Sequence, residues 1–236
     1  MRRQTLTRRL TTALRWPVGV SLTSWRYLWR TTPLYRDETN GSWEKDAPPP
    51  LSDGVDREDV QWPSDGSGPH FRRRYSVHIE GSKLSGEELM RRVMSDPDQV
   101  APSEFATFQK LSGEPGEMAV NHEYVVRMPG PWDGPVRVAK VSPRSFRLVT
   151  LAGHLEAGQI EFRVCDGDRL EFEIESWARS GDRLSELLYD RLRLSKEVQF
   201  HMWTSVLERV AKFSGGSRAG ALRIRTRKVA EVPPDA

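Results

Sequence analysis

The residues best suited to chemistry in this 236-residue chain lie in the stretch GHLEAGQIEF, residues 153–162. It holds His154, Glu156 and Glu161 within eight positions, with glycines at positions 153 and 158. A histidine beside a glutamate can transfer protons near neutral pH, because the carboxylate raises the pKa of the imidazole toward a working range. The same side chains could instead bind a metal ion, or bond to the backbone and lock a turn. The backbone around them decides which role is available.

Metal and cofactor binding are not expected. The chain has a single cysteine, Cys165, so no internal disulfide and no thiolate cluster can form within one chain. No further histidine or cysteine lies near His154 in sequence, and Glu197 with His201, four residues apart, is more typical of a solvated helix face. The chain also lacks a phosphate loop, a dinucleotide fingerprint and a nucleophile elbow.

The charge is distributed unevenly along the chain. The formal net charge is +3, yet residues 1–36 contain eight arginines and no acid, so the rest of the chain is acidic. Tryptophans and leucines recur at helical spacing in this basic amphipathic arm, a composition typical of helices that lie at a membrane surface. Docking of the arm on the domain or on a second copy is the alternative. The apolar stretch of the arm is too short to form a transmembrane helix, which needs about 20 apolar residues. We expect a cytoplasmic protein, with peripheral attachment to a membrane through residues 1–36 as an option.

Four regions are predicted along the chain. The basic arm covers residues 1–36, and residues 37–70 form a flexible linker rich in Pro, Gly and Asp that could also run as an extended strap. Residues 71–215 form the folded domain, and residues 216–236 form a basic disordered tail. The tail carries the run RIRTRK, but nucleic-acid binding is not expected because no aromatic residues are interleaved with the basic ones.

The folded domain is predicted to begin with a strand and two helices. Apolar residues alternate from Phe71 to Ile79 as in a half-buried strand. Ser85 stands three residues before Glu88, as in a capping box, and opens a helix that stops near Asp96. A second helix is predicted over residues 102–111.

Residues 121–177 are predicted to form a five-stranded antiparallel meander. Centring the four turns on the loop signals pairs Val126 with Val138, Val138 with Leu148, Leu148 with Phe162, and Phe162 with Phe172. With this register every inward position is even-numbered, and Lys140 is the one charged exception. The outward face carries arginines and glutamates and is expected to be solvated.

A long helix is predicted to cover the apolar face of this sheet. Residues 180–213 contain no proline and no glycine after Gly181, and their apolar residues recur at steps of three and four. The expected fold class is therefore α+β.

The order of these elements resembles the helix-grip fold of the START-like, or SRPBCC, superfamily. Within that superfamily GHLEAGQIEF is similar to the glycine-histidine-x-glutamate-x-glycine signature of the uncharacterised domain-of-unknown-function family nineteen-ninety, as are MPGPWDGPVRV and FEIESWARSGDRLS. The resemblance covers roughly residues 71–215. It implies a curved antiparallel sheet wrapped around a long C-terminal helix, with a cavity that holds a hydrophobic small molecule or lipid, and it assigns no reaction.

Three functions are compatible with these observations. The leading hypothesis is a non-enzymatic carrier or sensor that binds a hydrophobic small molecule or lipid between the sheet and the 180–213 helix. The second is a cyclase-, aromatase- or hydrolase-like enzyme with His154 and Glu156 as acid-base groups. The third is a structural or interaction protein with a filled core. The candidate ligand-binding residues are aromatic or sulfur-bearing and occupy presumed inner positions: Tyr75, Tyr124, Phe146, Phe162, Phe172, Met202 and Trp203.

Overall fold

A computed structural model describes residues 34–103, 106–127, 133–181 and 194–234 of the chain, with side chains on the last helix from residue 199 onward. The predicted arm up to residue 33 and the predicted first part of the long helix, 182–193, lie outside these ranges. Within them the strands are β1 Leu34–Asn40, β2 Ser67–Glu80, β3 Thr107–Lys110, β4 Glu123–Arg127, β5 Asp133–Ser142, β6 Ser145–Thr150, β7 Glu156–Cys165, β8 Leu170–Ser180 and β9 Ser217–Val229. The helices are α1 Trp43–Asp46, α2 Gly86–Ser95 and α3 Leu194–Phe213, with 3-10 turns at Pro63–Asp65 and Pro97–Gln99.

The described strands form one sheet in the order β1-β9-β2-β8-β7-β6-β5-β4-β3. Every neighbouring pair is antiparallel except β1 and β9, which run parallel. The sheet curves around α3, so the predicted α+β class and helix-grip arrangement are confirmed. Two details of the prediction are wrong, because the sheet is mixed rather than purely antiparallel and because α3 is followed by one more strand.

The meander from β4 to β8 forms as predicted, with part of its register shifted. Val138 pairs with Leu148 as expected, whereas Leu148 pairs with Ile160, Phe162 with Ile174, and Val126 with Gly134. Each shift is an even number of residues, because a slip by one would turn every apolar side chain to the opposite face. The residues are therefore assigned to the correct faces of the sheet even where the predicted strand pairing is wrong.

Lys140 fits the sheet because of a β-bulge. The register between β5 and β6 shifts between Val138 and Lys140, so that Lys140 pairs with Arg147 and Val141 with Phe146. The extra residue moves the lysine to the outward face, where its Nζ lies 3.4 Å from a carboxylate oxygen of Glu161.

The concave face of the sheet and the two longer helices enclose the main core. The sheet contributes inward residues such as Tyr75, Val138 and Phe172, and α3 contributes Phe200 and Leu207. α2 begins as predicted, with the Ser85 side chain accepting the Glu88 backbone N–H, and adds further apolar side chains to this core: Leu89, Met90 and Val93.

The helix predicted over residues 102–111 is wrong. The Ala106 N–H donates to the Pro102 carbonyl, and from Thr107 the chain forms β3, where Phe108 pairs with Val126. Without β3 the backbone groups along one side of β4 would have no strand partner, and pairing them outweighs a weak helical preference.

The outward face of the meander is covered rather than solvated. Residues 47–62, called the strap here, cross this face, and their apolar side chains pack on it in a second cluster: Leu51, Val55 and Val60 against Ala139, Val149 and Leu151. Polar side chains on the outward face donate hydrogen bonds to backbone carbonyls of the strap. Arg147 Nη2 donates to the Pro50 carbonyl at 3.2 Å, and Gln159 Nε2 donates to the Pro49 carbonyl at 3.0 Å.

The flexible linker predicted over residues 37–70 is therefore wrong, and so is the disordered tail predicted over residues 216–236. Residues 34–40 form β1, which also takes in the end of the predicted arm, and residues 217–229 form β9 between β1 and β2. The many basic residues of this segment suggested a disordered tail. However, Leu222, Ile224 and Thr226 alternate with arginines at the two-residue period of a strand.

Candidate functional site

The signature loop between β6 and β7 turns sharply at Gly153, whose φ is +93°, a conformation that favours glycine. One residue later the His154 Nδ1 lies 2.9 Å from the backbone nitrogen of Glu156 and 3.1 Å from the carbonyl oxygen of the same residue. The ring accepts from the N–H in one neutral tautomer and donates to the carbonyl in the other, and both contacts hold it against the loop backbone. Burial lowers the pKa of His154, although the nearby Glu156 carboxylate acts in the opposite direction. The histidine therefore closes the loop in its neutral form.

Gln61 of the strap holds the same loop from outside. Its Nε2 donates to the carbonyls of His154 and Glu156, at 3.0 and 3.1 Å, and its Oε1 accepts the Gly153 N–H at 3.1 Å. Sequence reasoning missed this residue, since nothing in the linker composition marks it as a partner of the signature.

Glu156 connects the loop to the long helix. It occupies an even position of β7 and therefore lies on the concave side, where its Oε1 accepts from Gln199 Nε2 of α3 at 2.7 Å. Gln199 Oε1 in turn accepts from Arg73 Nη1 of β2 at 3.2 Å. The two side chains of the predicted pair are thus held by different groups. The His154 ring bonds to the Glu156 backbone, whereas the Glu156 carboxylate belongs to a polar network with Gln199 and Arg73 at one end of the concave face.

Arg73 was overlooked in the sequence, although a signal for it exists. In FRRRYSVHI it occupies an odd position, on the same side as Tyr75 and Val77, and an arginine at an inward position requires a polar partner. In the structure it is buried, and its guanidinium lies 4.3 Å from the centroid of the Phe71 ring.

Tyr75 lies beside this network in the centre of the core. It has no exposed surface, its ring meets that of Phe200 edge to face at 6.1 Å, and its hydroxyl has no hydrogen-bond partner among the described residues. Burial raises the pKa of the phenol well above its usual range, and the charges of Arg73, Glu156 and Arg36 also act on it. Within the described part of the chain, a neutral hydroxyl therefore lies without a hydrogen-bond partner between aromatic rings and a polar network.

The other predicted ligand-binding residues lie mostly on the same face. Phe146 and Phe162 stack at 4.7 Å, and Trp203 of α3 meets Phe162 at 5.8 Å. Tyr124 and Phe172 are buried in the same core cluster. Met202 is half-buried on α3 and lies outside that cluster.

A surface cleft of about 460 Å³ lies at the opposite end of β2 and β8. Its lining includes Ile79, Ser82, Ser85, Asp166 and Leu170. Its lining includes neither Tyr75 nor a residue of the network of Arg73, Gln199 and Glu156. In the described part of the chain, no group of three or more His, Cys, Asp or Glu side chains is arranged to hold a metal ion. None of the described helices is long and apolar enough to cross a membrane.

The fold is a helix-grip fold, and the comparison with family models gives the particular family. The model of the domain of unknown function DUF1990 matches residues 90–209, which include the signature and most of α3. The chain belongs to this family, which confirms the resemblance predicted from the signature.

Comparison with other proteins adds the following. No curated protein matches the chain. A conserved protein from Geobacillus kaustophilus is 14% identical with a TM-score of 0.44, covering 63% of this chain and 99% of its own. A hypothetical protein from Helicobacter pylori is 8% identical with a TM-score of 0.45, covering 60% and 86%. The major latex-like protein 151 of Panax ginseng is 16% identical with a TM-score of 0.42, covering 62% and 99%.

Proposed function

We propose that the protein binds a hydrophobic small molecule or lipid between the concave face of the sheet and α3. The observation that carries the proposal is the Tyr75 hydroxyl, which is buried on that face without a hydrogen-bond partner among the described residues. A buried polar group left without a partner costs roughly 1–3 kcal/mol. A ligand with a polar group at one end would remove that cost.

The surroundings of Tyr75 support a ligand with two unlike ends. Phe162, Phe172 and Trp203 offer aromatic surface, while the network of Arg73, Gln199 and Glu156 offers charge and hydrogen bonds at one end. Pockets for small molecules commonly combine an apolar lining with a few convergent polar groups. The polar end of the ligand would lie beside Tyr75 and Arg73, and its apolar part would lie along the aromatic residues.

The test compares the wild type with Tyr75→Phe and with a matched control, Tyr35→Phe, at a residue of the first strand that is 59% exposed. Native mass spectrometry and organic extraction of the purified protein identify any retained ligand, and oleate serves as the added probe. We expect Tyr75→Phe to weaken oleate binding about fivefold, corresponding to one hydrogen bond, and Tyr35→Phe to leave it unchanged.

The stability of the empty protein gives an independent reading. Because the Tyr75 hydroxyl has no partner among the described residues, its removal should leave the free energy of unfolding equal or higher. A clear loss of stability would mean that the hydroxyl is already satisfied within the protein. Repeated recovery of empty protein that does not bind oleate would overturn the proposal.

A further inference from the structure

β9 has one apolar face and one face of arginines. Leu222 and Ile224 are buried against α3 in the main core, and the residues between and after them, Arg223, Arg225 and Arg227, lie on the convex side. Side chains on the same face of a strand are about 6.7 Å apart, so the three arginines form a row about 13 Å long. The segment predicted to be a loose basic tail thus presents its charges in a fixed row.

The row is flanked by further arginines on β2. Arg225 pairs directly with Arg74, and Arg227 with Arg72. Like charges directly opposite each other across two strands destabilise a sheet. The arrangement therefore needs negative charge close by.

Buried acids neutralise the β2 arginines and one end of the β9 row, where Asp46 lies 3.9 Å from Arg227 Nε. Glu175 accepts from Arg72 Nε at 2.7 Å and from Arg74 Nη2 at 3.2 Å, and Asp46 lies 3.2 Å from Arg72 Nη1. The side chains of both acids are almost fully covered, with 1% and 3% exposed.

The outer part of the cluster lacks this compensation. Arg223 and Arg225 are exposed, and neither makes an ion pair with a residue in the described ranges. Asp37 lies opposite Arg225 on β1 without forming such a pair. The exposed layer is therefore cationic.

The edge of the sheet adds an aromatic residue and a second source of positive charge. β1 runs alongside β9, and Tyr35 pairs with Arg223 with 59% of its surface exposed. Residues 1–33, which lead directly into β1, contain seven arginines, three tryptophans and no acid. Arginine with tryptophan and leucine is the composition of segments that bind at membrane interfaces.

We propose that the β9 arginine face, consisting of Arg223, Arg225, Arg227 and the neighbouring Tyr35, docks the protein on a bilayer that contains anionic lipids. Anionic lipid headgroups supply the negative charge that pairs with Arg223 and Arg225, and the ring of Tyr35 suits the interfacial region of the bilayer. A bilayer fits better than nucleic acid because the segment that enters at this edge combines its arginines with tryptophan and leucine. This inference does not depend on the proposed ligand.

The test measures binding of the full chain to vesicles by flotation, with phosphatidylglycerol mixed into phosphatidylcholine and with phosphatidylcholine alone. The variant is Arg223→Gln with Arg225→Gln. The control is Arg91→Gln with Arg92→Gln, which removes the same charge from exposed positions on α2. An arginine near an anionic surface contributes about fivefold to binding, so the β9 variant should bind about 25-fold more weakly and the control within about twofold of wild type.

Each outcome decides the matter. Binding should also require phosphatidylglycerol and weaken as salt is added, because exposed charges are screened. Equal binding of variant and wild type, or equal loss in variant and control, overturns the assignment to this face. Binding to an oligonucleotide duplex that needs Arg223 and Arg225, without vesicle binding, overturns the choice of partner. If circular dichroism shows that the double variant is unfolded, Arg223→Gln alone should bind about fivefold more weakly.

Discussion

Gly158 lies where the backbone of β8 leaves no room for a side chain on β7. Its φ is +153°, and a Cβ at this position would lie 1.9 Å from the Trp177 carbonyl oxygen, inside any tolerable contact. Since backbone cannot yield as a flexible side chain does, Gly158→Ala should lower the free energy of unfolding by about 3 kcal/mol. Urea denaturation measures the change. Gly54→Ala is the matched control, because no heavy atom lies within 4 Å of its added Cβ. Equal midpoints for both variants would refute the prediction.

His70 is a second residue whose environment has a measurable consequence. It has no exposed surface, and burial lowers its pKa from 6.5 to about 4, despite a contact of 3.2 Å between Nε2 and the Asp46 carbonyl. Between these two pKa values the unfolded chain binds a proton that the folded chain does not. Stability is therefore lost as the pH falls through the unfolded-state pKa toward the folded one.

The expected size of this effect follows from the shift. Between roughly pH 7 and pH 5, wild type should lose about 2 kcal/mol more stability than His70→Gln. Denaturant titrations at the two pH values provide the measurement. His154, whose pKa burial also lowers, contributes with the same sign in both proteins and cancels in the comparison. An identical pH dependence of the two proteins would rule out His70 as the cause.

The signature as a whole is best understood from its individual contacts. Gly153 allows the turn, His154 closes it, Glu156 reaches α3 and Gly158 admits β8. The sequence could indicate that these residues share a loop. It could not show that Gln61 and Gln199 are their partners, because those residues are far away along the chain and an isolated glutamine carries no positional signal.

At the scale of elements, periodicity predicted more than composition did. The alternation of apolar residues placed Phe146, Phe162 and Phe172 on the concave face even where the pairing was shifted. Low hydrophobicity, in contrast, suggested that the strap and β9 were unfolded. Both regions fold because they bind to parts of the domain that are distant in sequence. The strap packs on the convex face and its carbonyls accept hydrogen bonds from side chains there, and β9 pairs with the edge of β2.

Arg137 provides a test of the strap. It is buried, and its Nη1 donates to the carbonyls of Asp56 and Glu58 at 2.8 and 2.7 Å. Replacing it with alanine leaves two carbonyls without their donor and should lower the free energy of unfolding by about 2 kcal/mol. The strap should also detach locally, so that the backbone amides of Gln61 and Ala152, which bond across this contact, exchange faster.

The control for Arg137 is an arginine whose ion pairs are exposed. Arg144 bonds to Glu87 and Asp166 with half of its own side chain in solvent. Exposed pairs contribute about 0–1 kcal/mol, so Arg144→Ala should leave amide exchange in the strap unchanged. Unaltered exchange at Gln61 in Arg137→Ala would show that the apolar side chains of the strap hold it without the arginine.

At the scale of the whole molecule, the sheet joins segments from opposite ends of the sequence. β1 begins at Leu34 and β9 ends at Val229, yet the two are parallel neighbours, and β9 separates β1 from β2. The core under α3 is therefore complete only when the chain after α3 has folded back. This arrangement makes residues 217–229 part of the cooperative unit, whereas a disordered tail would be dispensable.

Truncation distinguishes these two descriptions. Removing residues 217–236 exposes the edges of β1 and β2 and takes Leu222 and Ile224 out of the core, where each is at most 1% exposed. Burial of one such side chain contributes about 1.5–3 kcal/mol, and a domain has only about 5–15 kcal/mol in total. The truncated chain should therefore lose its cooperative thermal transition. Removing residues 230–236 alone, beyond the end of β9, should leave the transition within a few degrees of wild type. A chain of residues 1–216 that melts cooperatively at the wild-type temperature would show that β9 is an addition to a fold already complete without it.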